Sequence, residues 1–114
     1  MPLSFQDARM IALAFEEATE EPHFEITSFR IRKKIFATLN EKEGLMCIML
    51  SPVDQDVFSA YDSENIFPVP NAWGKKGATW FSVKKVKKGM LQDALTCAYC
   101  KIAPKQLAAK YRRV

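Results

Sequence analysis

Pro22–Leu39 reads PHFEITSFRIRKKIFATL, and this stretch decides the fold. Phe29 and Ile31 alternate with Arg30 and Arg32, Lys33-Lys34 interrupts the alternation, and Ile35-Phe36-Ala37 resumes an apolar run. A period of two sends one set of side chains to a buried face and the other to water. The stretch therefore predicts two β-strands joined by a tight cationic turn. Basic strand edges and a basic tip suit contact with a polyanion. They equally suit any solvated hairpin, so the stretch fixes architecture before function.

Upstream, Ser4 reads as an N-cap with Asp7 as its capping-box acid. Phe5, Ala8, Ile11, Ala12 and Phe15 follow at helical spacing, which predicts a helix over 4–18 and an exit loop from Thr19 to Pro22. Strands are predicted over 24–32, 34–40 and 45–50, the last two joined by the Asn40–Gly44 turn NEKEG. LMCIML (45–50) is apolar throughout, as expected of a central strand buried on both faces.

Ser51-Pro52 marks the start of a helix reaching Ala60, with Val53, Val57 and Phe58 expected inward. Ile66–Val69 reads as a short strand, 70–77 (PNAWGKKG) as a loop and 78–83 (ATWFSV) as a strand. A long helix over 86–102 follows, and Pro104 restarts a last one. Hairpin connections dominate this α-β-β-β-α-β-β-α(-α) order. The expected architecture is α+β in two layers, an antiparallel sheet with helices on one face, with residues 1–114 forming one domain.

The net charge of +4 conceals an uneven distribution. Residues 1–25 carry six acids against Arg9, and 40–65 carry six against Lys42. The cations concentrate at Arg30, Arg32, Lys33 and Lys34, and again over 66–114, where eleven Lys and Arg face Asp93 alone. Such blocks can build a positive face that attracts polyanions, provided that they meet in space. No apolar run approaches the roughly 20 residues that span a bilayer. No signal peptide is evident, and three cysteines suit a reducing compartment, so a cytoplasmic protein without membrane association is expected.

Candidates for chemistry are few. His23, the only histidine, has no nucleophile signature near it and reads as structural, packed beside Phe24. Cys97-Ala98-Tyr99-Cys100 falls in the second half of a predicted helix, where the dipole opposes thiolate formation, and no second pair completes a zinc site. Cys47 reads as core. The acidic pairs Glu16-Glu17, Glu20-Glu21 and Asp54/Asp56 read as solvated surface. No catalytic residue, metal or cofactor is therefore expected. Pro70–Gly77 lacks the spacing of a phosphate-binding P-loop, yet its glycines bracket Lys75-Lys76 beside Trp73, so it can project two cations and an aromatic ring. Trp80 reads as buried against the sheet. Lys84, Lys85, Lys87 and Lys88 surround Val86 at a helix start, where the dipole disfavours cations.

These segments taken together resemble the MmcQ/YjbR family of small bacterial proteins. The likeness runs from Phe5 to about Tyr111 and rests on Ser28-Phe29-Arg30 to Lys34-Ile35-Phe36-Ala37, on Trp73-Gly74-Lys75-Lys76-Gly77 with Thr79, and on Ala103-Pro104-Lys105. It implies an α+β fold akin to secretion-chaperone-like and CyaY-like folds, and DNA binding through a "double wing". Carried onto this chain, Arg30, Arg32, Lys33 and Lys34 form one wing, and Lys75 and Lys76 beside Trp73 form the other. Lys84 and Lys85 are added as phosphate contacts from the charge run. Relatives often carry Gly-Lys where this chain has Lys33-Lys34, which implies a turn wider than a two-residue primed type. They often carry an aromatic where it has Ala78, which implies a weaker anchor for the second wing.

The expected function is DNA binding of low sequence specificity by a monomer, through phosphate neutralisation without catalysis. The alternative is a protein- or peptide-binding module that uses the open sheet. Lysines and arginines lining the sheet favour the first, an exposed apolar patch the second.

Overall fold

The computed structural model describes residues 3–111. The elements are α1 (Phe5–Leu13), β1 (Ala18–His23), β2 (Ile26–Ile31), β3 (Lys34–Asn40), β4 (Leu45–Met49), α2 (Pro52–Tyr61), β5 (Ile66–Pro68), α3 (Ala72–Lys75), β6 (Ala78–Ser82), α4 (Lys88–Ile102) and α5 (Lys105–Ala108). The six strands form one antiparallel sheet in the order β1-β2-β3-β4-β6-β5.

Strand alternation builds two unlike faces. Phe29, Leu39, Met46, Ile48, Ile66 and Phe81 point to one side and pack with Leu91, Leu95 and Tyr99 of α4 into the main core. The other face carries Ser28, Thr38, Cys47 and Trp80 in one row across neighbouring strands. A small cluster of Cys47, Val69 and Ala78, with Met49 and Trp80 against it, lies there, and none of its members comes from a helix. The two-layer α+β expectation therefore holds, with one sheet face open.

Several boundaries differ from the sequence reading, among them the start of the long helix, which is Lys88 and not Val86. The first helix stops at Leu13, because Phe15 turns into the core to stack on Tyr99 at 4.8 Å. Both backbone groups of Glu16 are then taken by side chains from far along the chain. Tyr99 Oη donates to the Glu16 carbonyl (2.9 Å), and the Glu16 N–H donates to Tyr111 Oη (3.1 Å). These bonds replace the ones that another helical turn would make.

The expected loop at 19–22 is instead the edge strand β1, which tolerates Pro22 because one side of an edge strand needs no donor. The expected strand over 24–32 is accordingly β2 alone, and Phe24, at φ 60°, sits in the turn between the two. Within PNAWGKKG lies the single turn α3, capped by Asn71 Oδ1, which accepts from the Trp73 N–H (2.8 Å).

The inward face of α2 also differs. Val53 and Val57 are exposed, and Gln55 is the buried residue. Phe58 does turn inward, edge-on to Phe81 at 6.2 Å.

Candidate functional site

Register fixes which turns share an end of the sheet. Ile31 pairs with Lys34 across the first basic turn, Met49 pairs with Ala78, and Pro68 pairs with Thr79. The Arg32-Lys33 turn, the Leu50-Ser51 exit of β4 and the Val69–Gly77 segment therefore project from the same end. Between the two basic turns lie three strand spacings, about 14 Å at the usual interval.

The first turn is built by its own strands. Arg32 and Lys33 have φ of 48° and 75°. Positive φ at both central residues is the two-residue primed hairpin, whose twist matches that of the flanking strands. The wider turn implied by Lys33-Lys34 is thus corrected: Lys34 already belongs to β3, and Arg32-Lys33 make the bend. Lys33 and Lys34 are exposed.

The arginines of this hairpin are engaged. Arg32 Nε and Nη2 donate to the two carboxylate oxygens of Glu17 at 2.9 and 3.1 Å. That bidentate pair holds the Glu17 carboxyl below its ordinary range and raises the guanidinium. Arg30 lies on the open face, where its Nε donates to Ser28 Oγ (2.9 Å), with Glu21 at 3.9 Å.

The second turn is held from behind. The buried Gln55 side chain donates from Nε2 to the Gly74 carbonyl (2.8 Å) and to the Ala78 carbonyl (3.0 Å). The Gly77 carbonyl accepts from the Leu50 N–H (3.2 Å) and from Thr79 Oγ1 (2.8 Å). A Cβ on Gly77 would lie 1.8 Å from the Leu50 oxygen, and one on Gly74 1.7 Å from the Val69 oxygen. Both glycines are therefore required by close backbone approach. The anchor missing at Ala78 is supplied by Gln55, and Ala78 itself is buried beside Cys47 and Val69. Lys75 and Lys76 are exposed, and Lys76 Nζ lies 5.4 Å from the centre of the Trp73 ring, itself 61% exposed. Trp80 is half-buried on the open face.

Lys84 and Lys85 stand apart from the turns. They follow Ser82, which pairs with Leu45, and so leave the sheet at the opposite end. There Lys84 Nζ sits 4.9 Å from the centre of the Phe5 ring. Lys84 and Lys85 therefore do not share an end of the sheet with the turn lysines. Lys101, which sequence reading did not single out, reaches the end that carries the turns: its Nζ donates to the Leu50 carbonyl (3.1 Å).

The acidic pairs are less idle than expected. Glu16 meets Lys110, Glu17 meets Arg32, and Glu20 meets Arg9. Burial pushes the Cys97 thiol up and the Cys47 thiol up to about 11, the reverse of what a reactive cysteine needs. His23 lies edge-on to Phe24, ring centres 4.9 Å apart. Among the described residues no cluster of three or more His, Cys, Asp or Glu could hold a metal. Nor is any helix among them long and apolar enough to cross a membrane.

A family model described as YjbR matches residues 13–101. No curated protein matches the chain. Among solved structures, the crystal structure of Deinococcus radiodurans protein DR2400, described by the family-model domain DUF419, superposes with a TM-score of 0.77 at 13% identity. The match covers 96% of this chain and 88% of that one. At that identity the likeness speaks for the fold alone.

Proposed function

The chain belongs to the YjbR family, and from that premise we propose that it is a nucleic-acid-binding module that grips duplex phosphates with two lysine-bearing turns, without a covalent step. One observation carries the reading. Lys33-Lys34 and Lys75-Lys76, some forty residues apart in sequence, project from the same end of the sheet. Their separation of about 14 Å is comparable to the roughly 12 Å width of a major groove, so the turns can rest on its two rims. Glu17 directly precedes β1, on the outer side of the first turn, and β4 leaves the sheet between the two turns at Met49. Trp73 offers an exposed ring for stacking or sugar contact.

Lys84 and Lys85 fall outside this grip, and Arg30 and Arg32 begin with partners inside the protein. The four turn lysines set the expected strength. Titration of duplex binding against salt should give a slope of log K on log salt of about −4, close to 0.9 per neutralised phosphate. A slope near zero, or no binding at low salt, defeats the reading.

A second reading draws on the open sheet face. Ile35, Leu45, Met49, Phe67 and Trp80 are each partly exposed, with Arg30 among them. The outermost strands carry Pro22 and Pro68, which discourage strand addition at either edge. A protein or peptide partner would then lie across the face and not extend the sheet. Loss of binding to that partner on Trp80→Ala, with duplex binding intact, would separate the two readings.

A further inference from the structure

Phe24 is 94% exposed at the tip of the β1–β2 hairpin and holds φ at +60°. A bulky residue with a Cβ rarely adopts that conformation, and the only ring contact described for Phe24 is the edge of its neighbour His23. Both features together mark a side chain presented to something. The turn lies at the end of the sheet opposite the lysine turns, since Ile26 opens β2 there and Ile31 closes it at the other end. Glu21 and Glu25 flank the hairpin tip, and Glu41 and Glu43 stand with Lys42 in the neighbouring β3–β4 turn; Lys84 and Lys85 lie at the same end of the sheet, farther off on the β6 side.

The complement of that tip is present on the same molecule. Beside α3 lies a cleft of about 500 Å³ whose walls include Pro68, Val69, Pro70 and Ala72, with Lys75 at its rim. It is shallow and open to solvent, mainly apolar with Gln55 and Asn71 also in its lining, large enough for a phenyl ring, and bordered by the exposed Lys75. Phe24 cannot reach it within one molecule, because the two lie at opposite ends of the sheet.

We propose that Phe24 of one copy inserts into the Pro68–Lys75 cleft of a second copy, with Glu21 and Glu25 facing Lys75 and Lys76. Tip and cleft are different surfaces, so the contact is heterologous and propagates head to tail into chains or a ring. This departs from the monomer expected from sequence. The interface is small, so association is weak, with a dissociation constant on the order of 0.1 mM. The inference does not depend on nucleic-acid binding. Both draw on Lys75 and Lys76, so a duplex should compete with self-association.

Sedimentation velocity of the full chain, at low salt and without nucleic acid, tests it over about 10 µM to 1 mM, a range that brackets such a constant. The weight-average sedimentation coefficient should rise with concentration, and added salt should reduce the rise. Phe24→Ser, and the double change Lys75→Glu with Lys76→Glu, should each weaken self-association at least about tenfold, the loss expected from one buried aromatic ring or its charged rim. Circular dichroism matching the parent checks that both variants fold. Mixed together, they should pair and stop at a dimer, since one keeps a cleft and the other a Phe24. A parent that sediments as a monomer throughout overturns the inference. So does a Phe24→Ser variant that associates like the parent, or a mixture that fails to pair. Phe24→Ser leaves the lysine turns intact and should bind duplex normally, which distinguishes failure here from failure of the DNA reading.

Discussion

The two lysine-bearing turns project from the same end of the sheet but are made by opposite means. The first is a primed hairpin whose shape comes from the residues of the turn and the strands beside it. The second is a single helical turn fixed by contacts from elsewhere: Gln55 on α2 holds its carbonyls, and Gly74 and Gly77 let it press against the Val69 and Leu50 backbone. Their charges differ in the same sense. The first turn carries an arginine already spoken for by Glu17, whereas Lys76 has the Trp73 ring beside it and neither Lys75 nor Lys76 has an acid among the contacts described. Availability of a basic residue is therefore set by which acid the fold brings near it, and counting cations along the chain does not reveal that.

If the second turn depends on backbone approach, breaking that approach should have the largest effect. Gly77→Ala places a Cβ 1.8 Å from the Leu50 oxygen at φ 116°. The cost is roughly 3 kcal/mol or more, from overpacking and a backbone that alanine resists. Urea unfolding should show the midpoint fall with the slope unchanged. A midpoint equal to that of the parent means that the turn does not need this contact. Gln55→Ala comes next. It removes the donor to two carbonyls at a buried site and should cost about 1–3 kcal/mol. Duplex affinity should fall with it, because Lys75 and Lys76 lose their platform while Lys33 and Lys34 keep theirs. Unchanged affinity in a destabilised Gln55→Ala protein breaks the link between the turn's support and its function.

The sequence made the first turn legible and the second only partly so, for the same reason. The strands around Arg32-Lys33 are written in local alternation, and β3 matches the expected bounds of 34–40. The strand faces of β6 are equally local: Thr79, Phe81 and Val83 are buried, with Trp80 on the other side. Tertiary partners were illegible. Nothing about a glutamine in the first turns of a helix says that it will be buried at 7% exposure beneath a loop that begins more than ten residues later. The C-terminal end of α1 was lost to the two tyrosine hydroxyls at Glu16, which lie 83 and 95 residues away in sequence. Of the proposed contacts, Lys33, Lys34, Lys75 and Lys76 could be read from local turn chemistry. The separation of Lys84 and Lys85 from them required the strand register, and the capture of Arg32 required the path of the chain through Glu17.

Releasing Arg32 sharpens the charge side of the comparison. Glu17→Gln should free the guanidinium for a phosphate and steepen the salt slope by about one unit, with at most a tenfold gain in affinity. The same pair has a pH signature. Arg32 lowers the Glu17 pKa in the folded protein. Its stabilising contribution is therefore complete above the ordinary glutamate value of about 4.3 and is lost as pH falls through the depressed folded value. Compared with the parent, Glu17→Gln should lose less stability on acidification below about pH 5, as read from thermal unfolding at several pH values. Identical acid limbs for the two proteins exclude the pair as a contributor.

The smallest expected effect bears on why the first turn has a lysine in a place that suits glycine. Lys33 holds φ at 75°, a region that costs a residue with a Cβ about 1–2 kcal/mol, part of which glycine's greater freedom in the unfolded chain cancels. Lys33→Gly should therefore raise stability by about 0.5 kcal/mol, read as a higher urea midpoint. It should also cost one phosphate contact and flatten the salt slope by about one unit. Stability and binding then move in opposite directions, the signature of a residue whose strain is kept for its charge. A stabilised protein whose affinity and slope match the parent's would instead mean that Lys33 touches no phosphate, leaving Lys75 and Lys76 to carry the grip.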